Sequence, residues 1–253
     1  MVQFHGNYCK KEYMISIGNF FFKYRNILFI VLYLALFIPS KEIFTKNWLG
    51  ENYFWWPMII GLIITVTGQL IRGATIGLAY IIRGGNNGKV YAENLVTTGI
   101  FSHCRNPLYV GNILMLLGVG IIANSLIYVG LIIPLFLFIY QSIVLAEESF
   151  LKNKFGKEFY KYCERTNRWI PSLKGISKTL DSMRFNWKRW LIKEYNTQYV
   201  WLTGLALIIL FKYPQLTGYD DTNRNILLFI LLPLFLIYYF IIRYFKKSGR
   251  WTG

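Results

Sequence analysis

Acidic side chains are few in this sequence, 12 in 253 residues against 28 lysines and arginines, and charged residues of both signs make up only 16%. An ordinary soluble domain carries about 25%, so the composition argues against one. Cysteine is scarcer still. Cys9, Cys104 and Cys163 have no CxxC spacing, and the only histidines are His5 and His103. That pattern disfavours a disulfide framework and a structural zinc site, and no metal centre is expected. Internal repeats and low-complexity tracts are missing too. Pro39-Ser40-Lys41 offers no small-x-small cleavage site after the first apolar stretch, so that stretch reads as a mature helix and not a signal peptide.

What the chain has in plenty is apolar surface: 55% of residues are hydrophobic and 19% aromatic. Six apolar stretches stand out, at 26–44, 54–82, 108–123, 125–146, 199–213 and 225–245, against the roughly 20 residues a membrane helix needs. The third and fifth are short and would cross with help from interfacial residues or local thinning. The expected fold is an all-α, multi-pass membrane bundle of about six transmembrane helices, with interfacial helices on the cytoplasmic side. A net charge of +16 could suit nucleic acid, but the basic residues lie between apolar runs, so membrane lipids are the expected partner and nucleic acid is not.

The distribution of lysine and arginine sets the orientation, because positive charge near helix ends is retained in the cytoplasm. Of the 28, 23 fall before the first stretch, between the second and third, between the fourth and fifth, or from the last turn of the sixth onward. The opposite loops and the stretch ends beside them hold only Lys41, Lys46, Lys212 and Arg224, and Arg72 lies inside the second stretch. Both termini should therefore be cytoplasmic, in a bacterial cytoplasmic membrane in preference to endoplasmic reticulum. The three cysteines fall on that side, where thiols stay reduced. Gly84-Gly85-Asn86-Asn87-Gly88 reads as a turn without the strand and helix context of a dinucleotide site. Met183 to Trp190 mixes basic and aromatic residues, as an interfacial helix on an anionic leaflet would.

Two runs carry chemistry. The first, Ser102-His103-Cys104-Arg105-Asn106-Pro107-Leu108-Tyr109-Val110-Gly111-Asn112, is a polar loop entering a helix with proline in its first turn, where a missing amide hydrogen costs nothing. A guanidinium beside a positive helix end suits a carboxylate; a positive-inside anchor is the plainer reading. The second runs from Glu147-Glu148-Ser149-Phe150-Leu151 through Phe155-Gly156-Lys157-Glu158-Phe159-Tyr160-Lys161-Tyr162 to Arg168-Trp169-Ile170-Pro171. A helical hairpin turning at Asn124-Ser125 returns both runs to one membrane face, so Arg105 should meet Glu147 and Glu148. Two carboxylates at a helix C-terminus oppose the dipole and need a partner, either a nearby cation or a cationic ligand. Phe155, Phe159 and Tyr162 share one face of a surface helix that could act as a lid.

Together these spaced runs, with Gly68-Gln69-Leu70-Ile71-Arg72-Gly73-Ala74 before them, resemble the isoprenylcysteine carboxyl methyltransferase and phospholipid methyltransferase superfamily of integral membrane enzymes. The resemblance covers residues 61–171 and implies an S-adenosylmethionine-dependent methyltransferase. Arg105, Asn106, Pro107 and Tyr109 match the family's cofactor motif, and Glu147 and Glu148 its acidic pair. Asn106 stands where the carboxyl methyltransferases have histidine, and Phe159 where a tyrosine is usual. The acceptor implied is a lipophilic or lipidated molecule bearing a carboxylate or an amine. A carboxylate needs no base; for an amine, His103 is the nearby imidazole. Arg72 is a second catalytic candidate, because an intramembrane charge costs at least about 2.5–3.5 kcal/mol; it would orient the acceptor's anionic group or pair structurally with Gln69 or a carbonyl. Three segments follow: 1–53 with the first helix, a methyltransferase-like core at 54–171, and 172–253 with two further helices. The alternatives are an NADPH-dependent, sterol-reductase-like enzyme, though Asn112 stands where that run has an acid, and a non-catalytic membrane transport or scaffold protein.

Overall fold

The computed structural model describes residues 2–78, 83–86 and 89–251, and for 2–11, 83–86, 89 and 90 it describes the backbone alone. The described chain is helical but for one antiparallel hairpin. Its helices are α1 (Val2–Leu34), α2 (Lys46–Leu49), α3 (Trp55–Leu78), α4 (Pro107–Ile122), α5 (Ile133–Phe155), α6 (Lys157–Arg165), α7 (Ile176–Asp181), α8 (Trp187–Lys212) and α9 (Asp221–Lys247). The hairpin, β1 (Arg83–Asn86) with β2 (Lys89–Ala92), holds the first half of the glycine-rich run; Asn87 and Gly88 lie outside the described residues.

Among the described residues, four helical stretches are long and apolar enough to cross a membrane: Glu12–Phe37, Trp55–Leu78, Tyr128–Phe155 and Asp221–Lys247. α4 is a shorter apolar helix of 16 residues, and α8, though 26 residues long, spends its first half on charged and polar side chains. The first span starts earlier than the apolar stretch at 26–44 suggests, because α1 is continuous through Lys23 and Arg25. On α9, Phe229 is 81% exposed and Ile230, Leu234, Ile237 and Ile241 are exposed with it. So much bare apolar surface on one helix fits contact with lipid tails.

The helices pack in pairs, α3 on α4, α1 on α5 and α8 on α9, with α8 also against α3. Sequence explains the tightest pair. A methyl group added at Gly68 would lie 2.6 Å from the Gly111 carbonyl oxygen, and one at Gly111 2.8 Å from that of Gly68. One heptad further, Gly61 and Gly118 repeat the arrangement, each with its added methyl 2.6 Å from the other's oxygen. Small residues at this spacing let two backbones touch where side chains would hold them apart. Between the glycine pairs, Thr65 donates to the Met115 carbonyl at 3.2 Å and accepts from the Trp201 indole of α8 at 2.8 Å. α5 opens with a wide π-helical turn at Tyr128–Ile132, which absorbs the backbone bond that Pro134 cannot make.

The loops sort to two ends. At one, Asn124 adopts φ 49° and its side chain accepts from the Ile43 and Phe44 amides at 3.0 and 2.8 Å and donates to the Phe44 carbonyl at 2.8 Å, so the expected hairpin turn is also a clasp on the preceding loop. Lys212 pairs with Glu42 at 3.0 Å beside it. At the other end, α5 breaks at Gly156, φ 50°, into α6. Phe159 and Tyr162 of α6 are buried with Ala92 and Leu151, Phe155 packing on them, and the Tyr162 hydroxyl donates to the Phe101 carbonyl at 2.7 Å. The aromatic face expected of that helix is thus turned inward. The run from Met183 to Trp190 is not one interfacial helix: its first half is a loop whose Phe185 packs on Gly77 of α3, and its second half opens α8. There Asn186 caps α8 by accepting from the Arg189 amide at 2.9 Å, and the Arg189 guanidinium donates to the last α3 carbonyls, Ile76 and Gly77, at 2.9 and 2.7 Å.

Candidate active site

At the second end, two loops are sewn together. The Arg105 amide donates to the Asn167 carbonyl at 2.9 Å, the Ser172 amide to the His103 carbonyl at 2.9 Å, and the Asn106 side chain to the Arg168 carbonyl at 3.2 Å. The run leading into α4 and the run ending at Pro171 are therefore one structural unit. Pro107 takes the first position of α4, as its missing N–H allows.

Behind this seam lies a cavity of about 520 Å³, within the usual range for small-molecule sites. Arg72, Arg105, Asn106, Pro107, Tyr109 and Glu147 all line it. Six of the eight residues singled out in the sequence are thus brought together. α1 adds Arg25, Phe29 and Tyr33, α5 adds Tyr140, and α8 adds Lys193 and Thr197.

The acidic pair divides. Glu147 is buried, faces the cavity and accepts the Tyr109 hydroxyl at 2.8 Å. Glu148 is not among the cavity's lining residues; it takes Arg168 in a fork, with contacts of 2.7–3.1 Å, and stands 3.3 Å from Arg105. The Glu148 hydrogen bond raises the Arg168 pKa above its ordinary value, so that guanidinium stays charged. Arg105 is nearly buried, and its Nε has no hydrogen-bond partner of good geometry despite the nearby carboxylate. That Nε faces Glu148 and not the cavity; a mostly buried guanidinium among the lining residues still suits an anionic ligand group. Burial pushes the Cys163 thiol up, and Arg105 beside it opposes that rise; burial likewise raises Cys104. Both are free thiols.

His103 lies outside the cavity lining. Its Nδ1 donates to the Ser172 carbonyl at 2.7 Å and its Nε2 shares a hydrogen bond with the Thr179 hydroxyl at 2.8 Å. The two nitrogens fasten the loop before α4 to Ser172, ahead of α7, and to Thr179 within α7. Arg72 does line the cavity, and its structural partner is neither Gln69 nor a carbonyl. It is Glu194 of α8, reached by Nε at 2.8 Å and by Nη2, while Nη1 donates to Asn112. Sequence reasoning missed Glu194 and the role of Arg168. A signal for the first was present: an intramembrane arginine needs an acid at its own depth, and the chain has only 12 acids to choose from.

The model of the phospholipid methyltransferase family matches residues 56–158, which span α3, the hairpin, α4, α5 and the start of α6, and so most of the cavity wall. Among relatives, the cobalt-zinc-cadmium resistance protein CzcN of Cupriavidus metallidurans is 30% identical over 156 residues, 58% of this chain and 66% of that protein. The nickel-cobalt-cadmium resistance protein NccN of Alcaligenes xylosoxydans xylosoxydans is 35% identical over 82 residues, 32% of this chain and 38% of that protein. The human protein-S-isoprenylcysteine O-methyltransferase is 28% identical over 152 residues, 53% of this chain and 52% of that protein. The chain thus spans between about a third and two thirds of these relatives. No solved structure matches.

Proposed function

We propose that the chain is a membrane-embedded S-adenosylmethionine-dependent methyltransferase acting on a lipid or isoprenoid-type acceptor that carries a carboxylate or an amine. The observation that supports it most is the single cavity in which Arg105, Asn106, Tyr109 and Glu147 of the family core meet Arg72 under aromatic walls. Isoprenylcysteine methyltransferases among the relatives favour this reading over a sterol-reductase-like one.

The donor set fits the cofactor. Arg105, a lining residue of the cavity, would take the carboxylate. Glu147 would take the ammonium or ribose diol, held in place by Tyr109. Phe29, Tyr33 and Tyr140 offer faces for adenine. When bound, S-adenosylmethionine would supply an activated methyl group for in-line attack by the acceptor, with S-adenosylhomocysteine as the leaving group. The protein's part is then alignment and exclusion of water, which alone can lower a barrier by several kcal/mol, on the order of 7–11 in the best-oriented cases. Arg168 and Glu148 would hold Arg105 from behind, and Arg72 would orient the acceptor.

In this reading α1, α3, α4, α5, α8 and α9 all cross the membrane, both termini and the cavity lie on the cytoplasmic side, and residues 54–171 are the catalytic core. The membrane is a bacterial cytoplasmic one, in keeping with the bacterial sources of CzcN and NccN. Isothermal titration of the detergent-solubilised chain tests the proposal. S-adenosylmethionine and S-adenosylhomocysteine should bind and NADPH should not, and methyl label should pass into a lipid extract. Binding of NADPH alone would overturn it.

A further inference from the structure

α8 lies outside the family match, yet it closes one side of the cavity with Lys193 and Thr197 and reaches beneath it with Glu194. Glu194 is 2% exposed. A carboxylate so dry persists only when paired, and its fork with Arg72 is of the two-pronged kind that fixes a guanidinium in plane as well as in place. Glu194 takes two of the five N–H groups of Arg72 and Asn112 a third. The remaining two belong to a side chain that lines the cavity.

Charge points to what they meet. Among the lining residues Arg25, Arg72, Arg105 and Lys193 are cationic and Glu147 is acidic. Glu194 answers Arg72 and Glu148 answers Arg105 from outside the lining, which leaves Arg25 and Lys193 against Glu147. Adding a sulfonium cofactor of net positive charge makes the imbalance worse, and in a site poor in water such an imbalance is felt strongly.

We propose that Glu194 is a positioning residue, holding Arg72 so that Arg72 and Lys193 form an anion subsite for a phosphate-class headgroup of the acceptor. α8 is then part of the site and not an appended anchor. The assignment to the acceptor rests on the methyltransferase reading; the subsite itself can be read without it.

The test uses the full chain in detergent, with dioctanoyl phosphatidic acid as probe and dioctanoylglycerol and inorganic phosphate as comparisons. Native mass spectrometry reads lipid binding, while calorimetry with S-adenosylmethionine and melting temperature are followed in parallel. Phosphatidic acid should bind the parent protein and dioctanoylglycerol should not. Glu194→Gln should weaken phosphatidic acid at least tenfold with cofactor affinity within twofold, and Glu194→Asp should restore part of the loss. Should Glu194→Gln fail to fold, Arg72→Lys, which keeps the charge but loses the fork, and Lys193→Ala carry the same expectation. Inorganic phosphate binding as tightly as the lipid would overturn the headgroup assignment. A lowered melting temperature with phosphatidic acid affinity unchanged, or normal binding in both Arg72→Lys and Lys193→Ala, would reduce Glu194 to a tie between α8 and α3 and overturn the proposal. If phosphatidic acid binds in a Glu194-dependent way but S-adenosylmethionine does not bind at all, the subsite stands and the methyltransferase reading falls.

Discussion

Glu148 gives both carboxylate oxygens to Arg168, while its neighbour Glu147 accepts the Tyr109 hydroxyl across the cavity. Two adjacent acids inside α5, about two turns before its end at Phe155, therefore do different work, and the helix C-terminus expected at them lies further on. Glu148→Gln removes one partner of a mostly buried ion pair and should cost about 1–3 kcal/mol of stability, with cofactor affinity of the folded protein changed only slightly. Glu147→Gln should do the reverse, lowering S-adenosylmethionine affinity at least tenfold at nearly constant melting temperature. Thermal melts and calorimetry on both variants decide; matched losses of affinity would return the pair to a single role.

Packing of α3 on α4 makes a prediction about fold alone. Gly68→Ala would place a methyl 2.6 Å from the Gly111 carbonyl, and backbone cannot yield as a side-chain tip can. Overpacking of this kind costs about 1–3 kcal/mol. Gly204→Ala is the control, since nothing lies within 4 Å of a methyl there and helix propensity favours alanine by about 1 kcal/mol. The first variant should melt lower than the parent and the second no lower. Because Arg72 and Asn112 lie just beyond the Gly68 and Gly111 contact, a shifted α3 should also disturb their pairing.

With both ring nitrogens of His103 engaged by Ser172 and Thr179, the imidazole has a fastening role. His103→Ala should lower the melting temperature, by an amount set by two hydrogen bonds of about 0.5–1.5 kcal/mol each. It should leave kcat of the folded fraction within about threefold, well short of the hundredfold or more that general bases contribute. A hundredfold loss of kcat with the fold intact, and a pH profile that loses one limb, would restore His103 as the base.

Much of this architecture was legible in the sequence for identifiable reasons. Apolar length revealed the helices, and Asn124-Ser125 revealed the hairpin that returns Arg105 and Glu147 to one face. The start of α1 was not legible, because Lys23 and Arg25 interrupt the apolar run although the helix continues through them. Separating Glu147 from Glu148 needs their side-chain directions on α5, which adjacent positions in a motif do not convey. Arg168 stood in a recognised run but its carboxylate lies 20 residues away. Glu194 is further still, 122 residues from Arg72, and no local pattern joins them; only the cost of an unpaired buried charge does.

Orientation is tested by labelling. Phe44 next to Thr45 is clasped by Asn124, and Lys212 near Gly218 pairs with Glu42, so these loops share one end of the molecule. Ser172 is fastened to His103 at the other. Single cysteines at Thr45 and Gly218 should react with an impermeant reagent from outside the cell, and one at Ser172 should not, in a background lacking the native cysteines. Labelling of Ser172 from outside would invert the topology and move the cavity away from the cytoplasm.

The remaining prediction separates a cofactor grip from an internal ion-pair network around Arg105. Arg105 is 3.3 Å from Glu148, but Arg168 makes the closer, forked contact with the same carboxylate. If Arg105 served only that network, Arg105→Ala would cost stability, Glu148 would still keep Arg168, and ligand affinity would not change. If Arg105 and Glu147 instead hold opposite groups of S-adenosylmethionine, each truncation removes a charge-assisted hydrogen bond worth about 1.5–3 kcal/mol, which is roughly a ten- to hundredfold loss of affinity. The two grips touch different ligand atoms, so Arg105→Ala with Glu147→Gln should give nearly additive losses. Arg105→Ala with Glu148→Gln should be less than additive in stability, because those residues share a contact. Four proteins for each cycle, titrated with cofactor and melted in parallel, make the test. Unchanged affinity in both Arg105→Ala and Glu147→Gln, with the protein folded, would remove the cofactor from this cavity.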